Sequence, residues 1–196
     1  MFYRAQDLPK GLFKSSIIPR PIAWVSTISQ EGITNLAPFS YFQAISDMPP
    51  MIMFVVTSKD KEMNPKDTLV NIMASSEFVV NVVTESALDM MNLSSELLPY
   101  NESEIEKFGI PIKKSSLVKP PSVAISPINL ECKLSQIINI SESIYGNKMI
   151  IGKVVGISVD DSVIENEKMI VEKVRPVCRL GYDSYSVIKQ VIERRR

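Results

Sequence analysis

The chain has 196 residues, of which 45% are hydrophobic and 22% are charged, a composition typical of a globular protein. Lysine and arginine together number 22, as do aspartate and glutamate, so the net charge is zero and does not favour a nucleic-acid or anionic-membrane partner. The sequence contains no histidine, which excludes a Ser-His-Asp triad, a Cys-His pair and a histidine-ligated zinc site.

The length predicts a single domain over residues 1–196, with an N-terminal arm at about 1–18 and a C-terminal tail at about 187–196. The first residues carry charges where a signal peptide would be apolar, and the longest apolar run, at 51–56, is too short to cross a bilayer. We therefore expect no membrane segment and a cytoplasmic protein.

Two cysteines, Cys132 and Cys178, provide neither a disulfide framework nor the spacing of a metal site. Each stands among apolar residues, so we expect buried free thiols.

The first predicted element is a β-hairpin. Residues 22–28 are rich in strand formers, a glycine turn follows at 30–32, and 33–37 return as the partner strand. Pro38 has no N–H to donate, so we expect regular pairing to end or bulge there.

Further short strands follow along the chain, interrupted by a few helical segments. The pattern predicts strands at 51–57, 77–83, 129–140, 148–159 and 177–180, and helical segments from 69, at 86–98 and at 103–108. A turn is expected near Tyr145, and Gly152 and Gly156 are expected to mark a bulge or a close approach within a strand.

This pattern predicts a mainly β fold, an antiparallel barrel with helical insertions. The glycines never form the G-x-G-x-x-G fingerprint of a dinucleotide-binding domain, so a nicotinamide cofactor would have to bind outside such a domain.

The loop at 35–40 contains an amide, a hydroxyl and backbone N–H groups beside the apolar Ala37, Pro38 and Phe39. A flavin ring needs this combination, because its polar edge alternates donors and acceptors while its body is apolar. The residues alone leave a second interpretation open, in which this segment is an aromatic strand end that packs on the core.

Residues Lys66, Asp67 and Thr68 precede a predicted helix. Unpaired N–H groups, the helix dipole, a hydroxyl and an ammonium can bind a phosphate at such a position. An ordinary helix cap is the alternative, in which Asp67 or Thr68 caps the helix and Lys66 lies in solvent.

Taken together, these motifs resemble the flavin reductase-like FMN-binding split-barrel family, whose members include flavoredoxin and the reductase component of nitrilotriacetate monooxygenase. The resemblance runs in order from about residue 10 to about residue 186. Its motifs are PRPIAWVST at 19–27, NLAPFS at 35–40, PP at 49–50, KDT at 66–68, ISP at 125–127 and RLG at 179–181.

The resemblance implies a six-stranded antiparallel Greek-key split barrel, a homodimer and one non-covalent FMN per subunit. By position, the ring would contact Asn35, Ala37, Pro38, Phe39 and Ser40, with Ser40 as the principal contact. The ribityl and phosphate end would contact Thr27, Lys66, Asp67 and Thr68, with Lys66 on the phosphate.

The expected activity is that of an FMN-dependent oxidoreductase in which NAD(P)H reduces the flavin, without a catalytic side chain, and the flavin passes electrons to an acceptor or a monooxygenase component. Many relatives carry a histidine near the strand at 147–152, which this chain lacks. Two alternatives therefore stay open: an electron-transfer flavoprotein reduced by a protein partner, and a non-catalytic FMN-binding module.

Overall fold

A computed structural model describes residues 1–59, 64–140 and 146–194. The strands are β1 (Arg20–Pro21), β2 (Ala23–Ile28), β3 (Thr34–Phe39), β4 (Phe42–Asp47), β5 (Pro50–Val56), β6 (Glu77–Val82), β7 (Ile112–Lys113), β8 (Ser122–Val123), β9 (Ile128–Asn139), β10 (Lys148–Val159), β11 (Ile164–Glu165), β12 (Lys168–Met169), β13 (Val177–Gly181) and β14 (Ser184–Val187). The α-helices are α1 (Leu12–Ser15), α2 (Asp67–Ser75), α3 (Leu88–Leu93), α4 (Glu104–Lys107) and α5 (Val171–Val174).

The centre of the fold is a seven-stranded antiparallel sheet in the order β3-β2-β6-β9-β10-β5-β4. A small sheet in the order β1-β13-β14 lies beside it. The mainly β, antiparallel architecture with helical insertions is thus confirmed. The resemblance implied six strands, and the large sheet has seven, one of which, β4, was not predicted from the sequence.

The large sheet curls around its own hydrophobic core. Phe39 on β3, at one edge of the sheet, packs against Phe54 on β5 with ring centroids 5.2 Å apart, and Phe54 also contacts Phe78 on β6 at 5.5 Å. Strands from the two ends of the sheet therefore bury side chains in one cluster, which Leu69 and Ile72 of α2 also join. The curl places the N-terminus of α2 over the β2–β3 hairpin.

A second hydrophobic cluster lies on the other face of this hairpin and includes Trp24, Leu36 and Met91. Trp24 is fully buried, and its Nε1–H donates to Ser94 Oγ at 2.8 Å. Ser94 Oγ in turn donates to the carbonyl of Met91 at 2.8 Å. The end of α3 and the residues after it are thereby tied to β2.

The expectation that pairing ends at Pro38 is wrong, since β3 continues to Phe39 and Pro38 lies opposite Trp24 in regular register. The reason is that β3 is an edge strand whose outer side faces away from β2. The N–H of Leu36 donates to a side chain, that of Glu104, rather than to β2. Two residues on, the nitrogen of Pro38 faces the same outer side, so its missing hydrogen costs no ladder bond.

The prediction for Gly152 and Gly156 is confirmed. The pairing of β10 with β9 shifts register at both positions. A Cβ at Gly152 would also overlap the Phe78 ring, and one at Gly156 would lie 3.0 Å from Leu117 Cδ1.

Other predictions differ in extent. The helix expected at 86–98 is a 3-10 turn (Glu85–Ala87) followed by α3, and the strand β14 was not predicted. Cys132 and Cys178 are buried free thiols, as expected. The turn expected at Tyr145, like the last two residues of the predicted tail, lies outside the described residues. In the part of the chain that the structure describes, no helix is long and apolar enough to span a membrane.

Candidate functional site

A cleft opens between β3, the N-terminus of α2 and the chain after α3. Two sequence-predicted groups line it together: Asn35, Ala37 and Pro38 from β3, and Lys66, Asp67 and Thr68 from the start of α2. The fold thus brings the two motifs to one cavity, although about thirty residues separate them in the sequence.

A buried carboxylate holds Asn35 in place. Asn35 Nδ2 donates to both carboxylate oxygens of Glu104, at 3.1 and 3.0 Å, and the backbone N–H of Leu36 donates to Glu104 Oε2 at 2.9 Å. Glu104 is only 3% exposed, and this burial raises the pKa of its carboxyl while the hydrogen bond from Leu36 opposes the rise. The amide of Asn35 therefore presents its oxygen to the opposite side.

That oxygen accepts a hydrogen bond from the Thr68 hydroxyl at 2.8 Å and a longer one from Thr27 Oγ1 at 3.4 Å. Thr27 is fully buried and accepts from Asn71 Nδ2 at 3.0 Å, while Asn71 Oδ1 accepts from the hydroxyl of Tyr100 at 3.0 Å. Thr27 accordingly lies behind the cleft wall and does not line the cleft. Its expected contact with a ligand stays a prediction.

The start of α2 differs from the predicted cap. Lys66, not Asp67 or Thr68, occupies the N-cap position, and its side chain makes no capping hydrogen bond with a described residue. Asp67 pairs with Lys59 at 3.2 Å, and Lys59 also donates to the carbonyl of Leu98 at 2.7 Å. The negative charge of Asp67 is therefore already neutralised.

Lys66 is a second lysine of the cleft beside Lys59. No acidic side chain among the described residues lies within ion-pair distance of its ammonium group. Burial lowers the pKa of Lys66 from its ordinary value, and the nearby Asp67 carboxylate works against that shift. A desolvated ammonium beside helix N–H groups would gain from an anion at this point.

Phe39 and Ser40 lie beyond the cleft. The Phe39 ring belongs to the barrel core and is 6% exposed, so its side chain is not available to a ligand in the cleft. Ser40 lines a second cavity, which Pro38 and Ser95 share with the cleft and which also contains Arg179 and Tyr185. The two cavities are neighbours, and we call them together the groove.

Sequence reasoning did not find Glu104, Asn71 or Tyr100 as parts of this site. The helical turn of Glu104 was predicted, but no feature separates an inward glutamate from its exposed neighbours in that turn. Asn71 did carry a signal, because it stands between apolar residues of α2 on the face that packs against the sheet.

Residues 15–179 match the model of the flavin reductase like domain family, and the chain belongs to this family. Among its relatives, an uncharacterized protein of Aquifex aeolicus is 39% identical over 170 residues, which cover 86% of this chain and 84% of the relative.

Solved structures agree with this assignment. Nitrilotriacetate monooxygenase component B from Bacillus cereus superposes with a TM-score of 0.92 at 31% identity, covering 98% of each chain. The 2-nitrobenzoate 2-nitroreductase of Pseudomonas fluorescens superposes with a TM-score of 0.88 at 29% identity, and the match covers 100% of this chain and 96% of the nitroreductase. The flavoredoxin of Desulfovibrio vulgaris shares the fold, with a TM-score of 0.79 at 17% identity over 98% of this chain and 97% of its own.

Proposed function

We propose that this protein is an FMN-dependent oxidoreductase in which NAD(P)H reduces the bound flavin. One observation carries the proposal: the helix start at Lys66 lines a cleft next to the cavity along the edge of β3, and the two share Pro38 and Ser95. An FMN molecule has the same two parts, a phosphate and a flat ring with a polar edge.

The start of α2 has hydrogen-bond donors that suit the phosphate of FMN. The N-cap residue Lys66 does not cap the first turn of α2 within the described part of the chain, and its side chain lines the cleft beside that turn. A phosphate would accept hydrogen bonds from the backbone N–H groups of the turn and from the Lys66 ammonium, while Asp67 stays paired with Lys59.

The surface along β3 suits the flavin ring of FMN. Ala37 and Pro38 offer an apolar surface, Ser40 offers a hydroxyl, and the outer edge of the strand has backbone groups that do not pair with β2. Asn35 would contact the ribityl side of the ligand, held by Glu104 in a fixed orientation. Phe39 and Thr27 would support this surface from behind.

When bound, FMN would accept a hydride from NAD(P)H and pass two electrons to an acceptor. The chain itself would bind and orient the cofactor, and preorganised donors beside the ring would favour its anionic reduced form. We further propose a homodimer that delivers electrons to a redox partner or a monooxygenase component, in line with the name of the Bacillus cereus relative.

The phosphate assignment is tested by comparing FMN with riboflavin, which lacks the phosphate. We expect Lys66→Gln to weaken FMN binding by about tenfold or more, the effect of losing one charge-assisted hydrogen bond, and to leave riboflavin binding unchanged. Lys153→Gln, on the exposed side of β10, is the control with the same loss of charge. Quenching of flavin fluorescence gives both dissociation constants. An equal loss of affinity for FMN and for riboflavin would contradict the assignment.

The reductase activity is tested by adding NADH or NADPH to the FMN-loaded protein without oxygen. Bleaching of the visible flavin absorbance within seconds supports the reductase. Bound FMN that only a reduced redox protein can bleach would instead identify an electron-transfer flavoprotein, and failure to take up FMN would refute the proposal as a whole.

A further inference from the structure

Two arginines lie directly opposite each other in the small sheet beside the groove. Arg20 on β1 pairs in register with Arg179 on β13, and Arg179 pairs in register with Tyr185 on β14. Side chains at directly opposite positions of antiparallel strands stand on the same face of the sheet. Arg20, Arg179 and Tyr185 therefore form one row.

Hydrogen bonds hold both guanidinium groups firmly. Arg20 Nη1 donates to the carbonyls of Lys14, Ile17 and Leu180, the last two at 2.9 and 3.2 Å. The guanidinium of Arg179 stacks on the Tyr185 ring, 4.5 Å from its centroid, and donates to the Tyr185 hydroxyl.

The positive charges of this row are poorly neutralised. Arg20 is 6% exposed, and neither an acidic side chain nor a partner for its buried Nε is found among the described residues. In the same part of the chain, the one acidic partner of Arg179 is the fully exposed Asp183, at 3.4 Å. Like charges at opposite positions repel each other, and a buried charge is costly without a counter-charge. A bound anion would remove much of this cost.

The row faces the predicted ring site. Arg179 and Tyr185 line the second cavity together with Pro38 and Ser40, and Arg20 lines a third cavity that also reaches Ser40. Lys66 lies in the neighbouring cleft, which does not include either arginine. The groove thus has two separate cationic centres, and the phosphate of one flavin would occupy only the one at Lys66.

We propose that Arg179, with Arg20 behind it, binds the phosphate groups of the nicotinamide nucleotide that reduces the flavin. This inference rests on the proposed function. A guanidinium can donate two parallel hydrogen bonds to a phosphate, and stacking on Tyr185 keeps its plane fixed before the ligand arrives. The second cavity would then hold the nucleotide next to the ring, outside any dinucleotide-binding domain.

The test uses Arg179→Gln and Arg179→Lys in the full chain loaded with FMN. We expect Arg179→Gln to raise the KM for NADH and NADPH by about tenfold, the effect of losing a charge-assisted contact, and to change kcat by less than about threefold. Arg179→Lys keeps the charge but cannot donate two parallel hydrogen bonds. Its KM should therefore lie between the KM of wild type and that of Arg179→Gln. Inorganic pyrophosphate should compete with the nucleotide in wild type and compete less well in both variants.

Lys173→Gln is the control for net charge, because Lys173 pairs with Glu165 and lines a cavity that contains neither Arg20 nor Arg179. Melting temperatures and the dissociation constant for FMN are measured on every variant and should match wild type. Unchanged KM values in a folded, FMN-loaded Arg179→Gln protein would overturn this inference alone. Equal weakening of FMN binding and nucleotide binding would also overturn it, because the arginine row would then belong to the flavin site. A wild type that binds no FMN would instead refute the proposed function.

Discussion

Removing the Glu104 side chain should destabilise the protein far more than removing a neighbouring glutamate. In Glu104→Ala, the side-chain amide of Asn35 and the backbone N–H of Leu36 both lose their acceptor in a buried environment. Each unsatisfied buried donor costs about 1–3 kcal/mol. Loss of a desolvated charge offsets part of this, so we expect the free energy of unfolding to fall by about 2–4 kcal/mol.

The matched control is Glu106→Ala, because Glu106 lies in the same turn of α4 but is exposed. Its backbone N–H still donates to the Ser103 side chain after the substitution, so we expect a change of no more than about 0.5 kcal/mol. Urea unfolding followed by the fluorescence of Trp24, the single tryptophan of the chain, measures both values. Similar losses in the two variants would refute the view that Glu104 anchors β3.

Glu104→Gln tests the electrostatic part of the same reasoning. Because burial raises the pKa of Glu104, the native state takes up a proton at a higher pH than the unfolded chain does. The stability of wild type relative to Glu104→Gln should therefore rise as the pH falls from the raised pKa of the native carboxyl toward the ordinary pKa of a glutamate. A difference that is constant with pH would show that the carboxyl does not titrate abnormally.

Two further predictions concern the barrel wall. Gly152→Ala should lower the free energy of unfolding by about 1–3 kcal/mol because the new methyl overlaps the Phe78 ring, whereas Gly156→Ala should cost less since it meets only the end of the exposed Leu117 side chain. Equal urea midpoints for the two variants would contradict this packing. Burial raises the pKa of Cys132 to about 12, so its thiol should not react with a disulfide reagent at neutral pH until urea unfolds the chain, and rapid labelling of the native protein would contradict the burial.

The β2–β3 hairpin and the long strands β9 and β10 could be predicted from the sequence because strand formers, a glycine turn and apolar alternation coincide there. The strand β4 could not, since most of its residues are exposed and its pattern does not distinguish it from a loop.

The ends of the candidate groove were predictable, while the connections behind them were not. Asn35 and Lys66 belong to short motifs that can be read along the chain. The contacts of Asn35 with Glu104, and of Arg20 with Arg179, join residues far apart in the sequence, and they depend on which strands and helices meet. Contact of the motif residues with a flavin stays a prediction.

The outer edge of β3 also bears on how this edge resists the addition of a foreign strand. An edge strand normally exposes a row of N–H groups onto which another chain can add a strand, a common route to aggregation. Here the N–H of Leu36 is occupied by Glu104, and Pro38 has none to offer. The edge therefore offers an added strand fewer N–H groups, even when no ligand covers it.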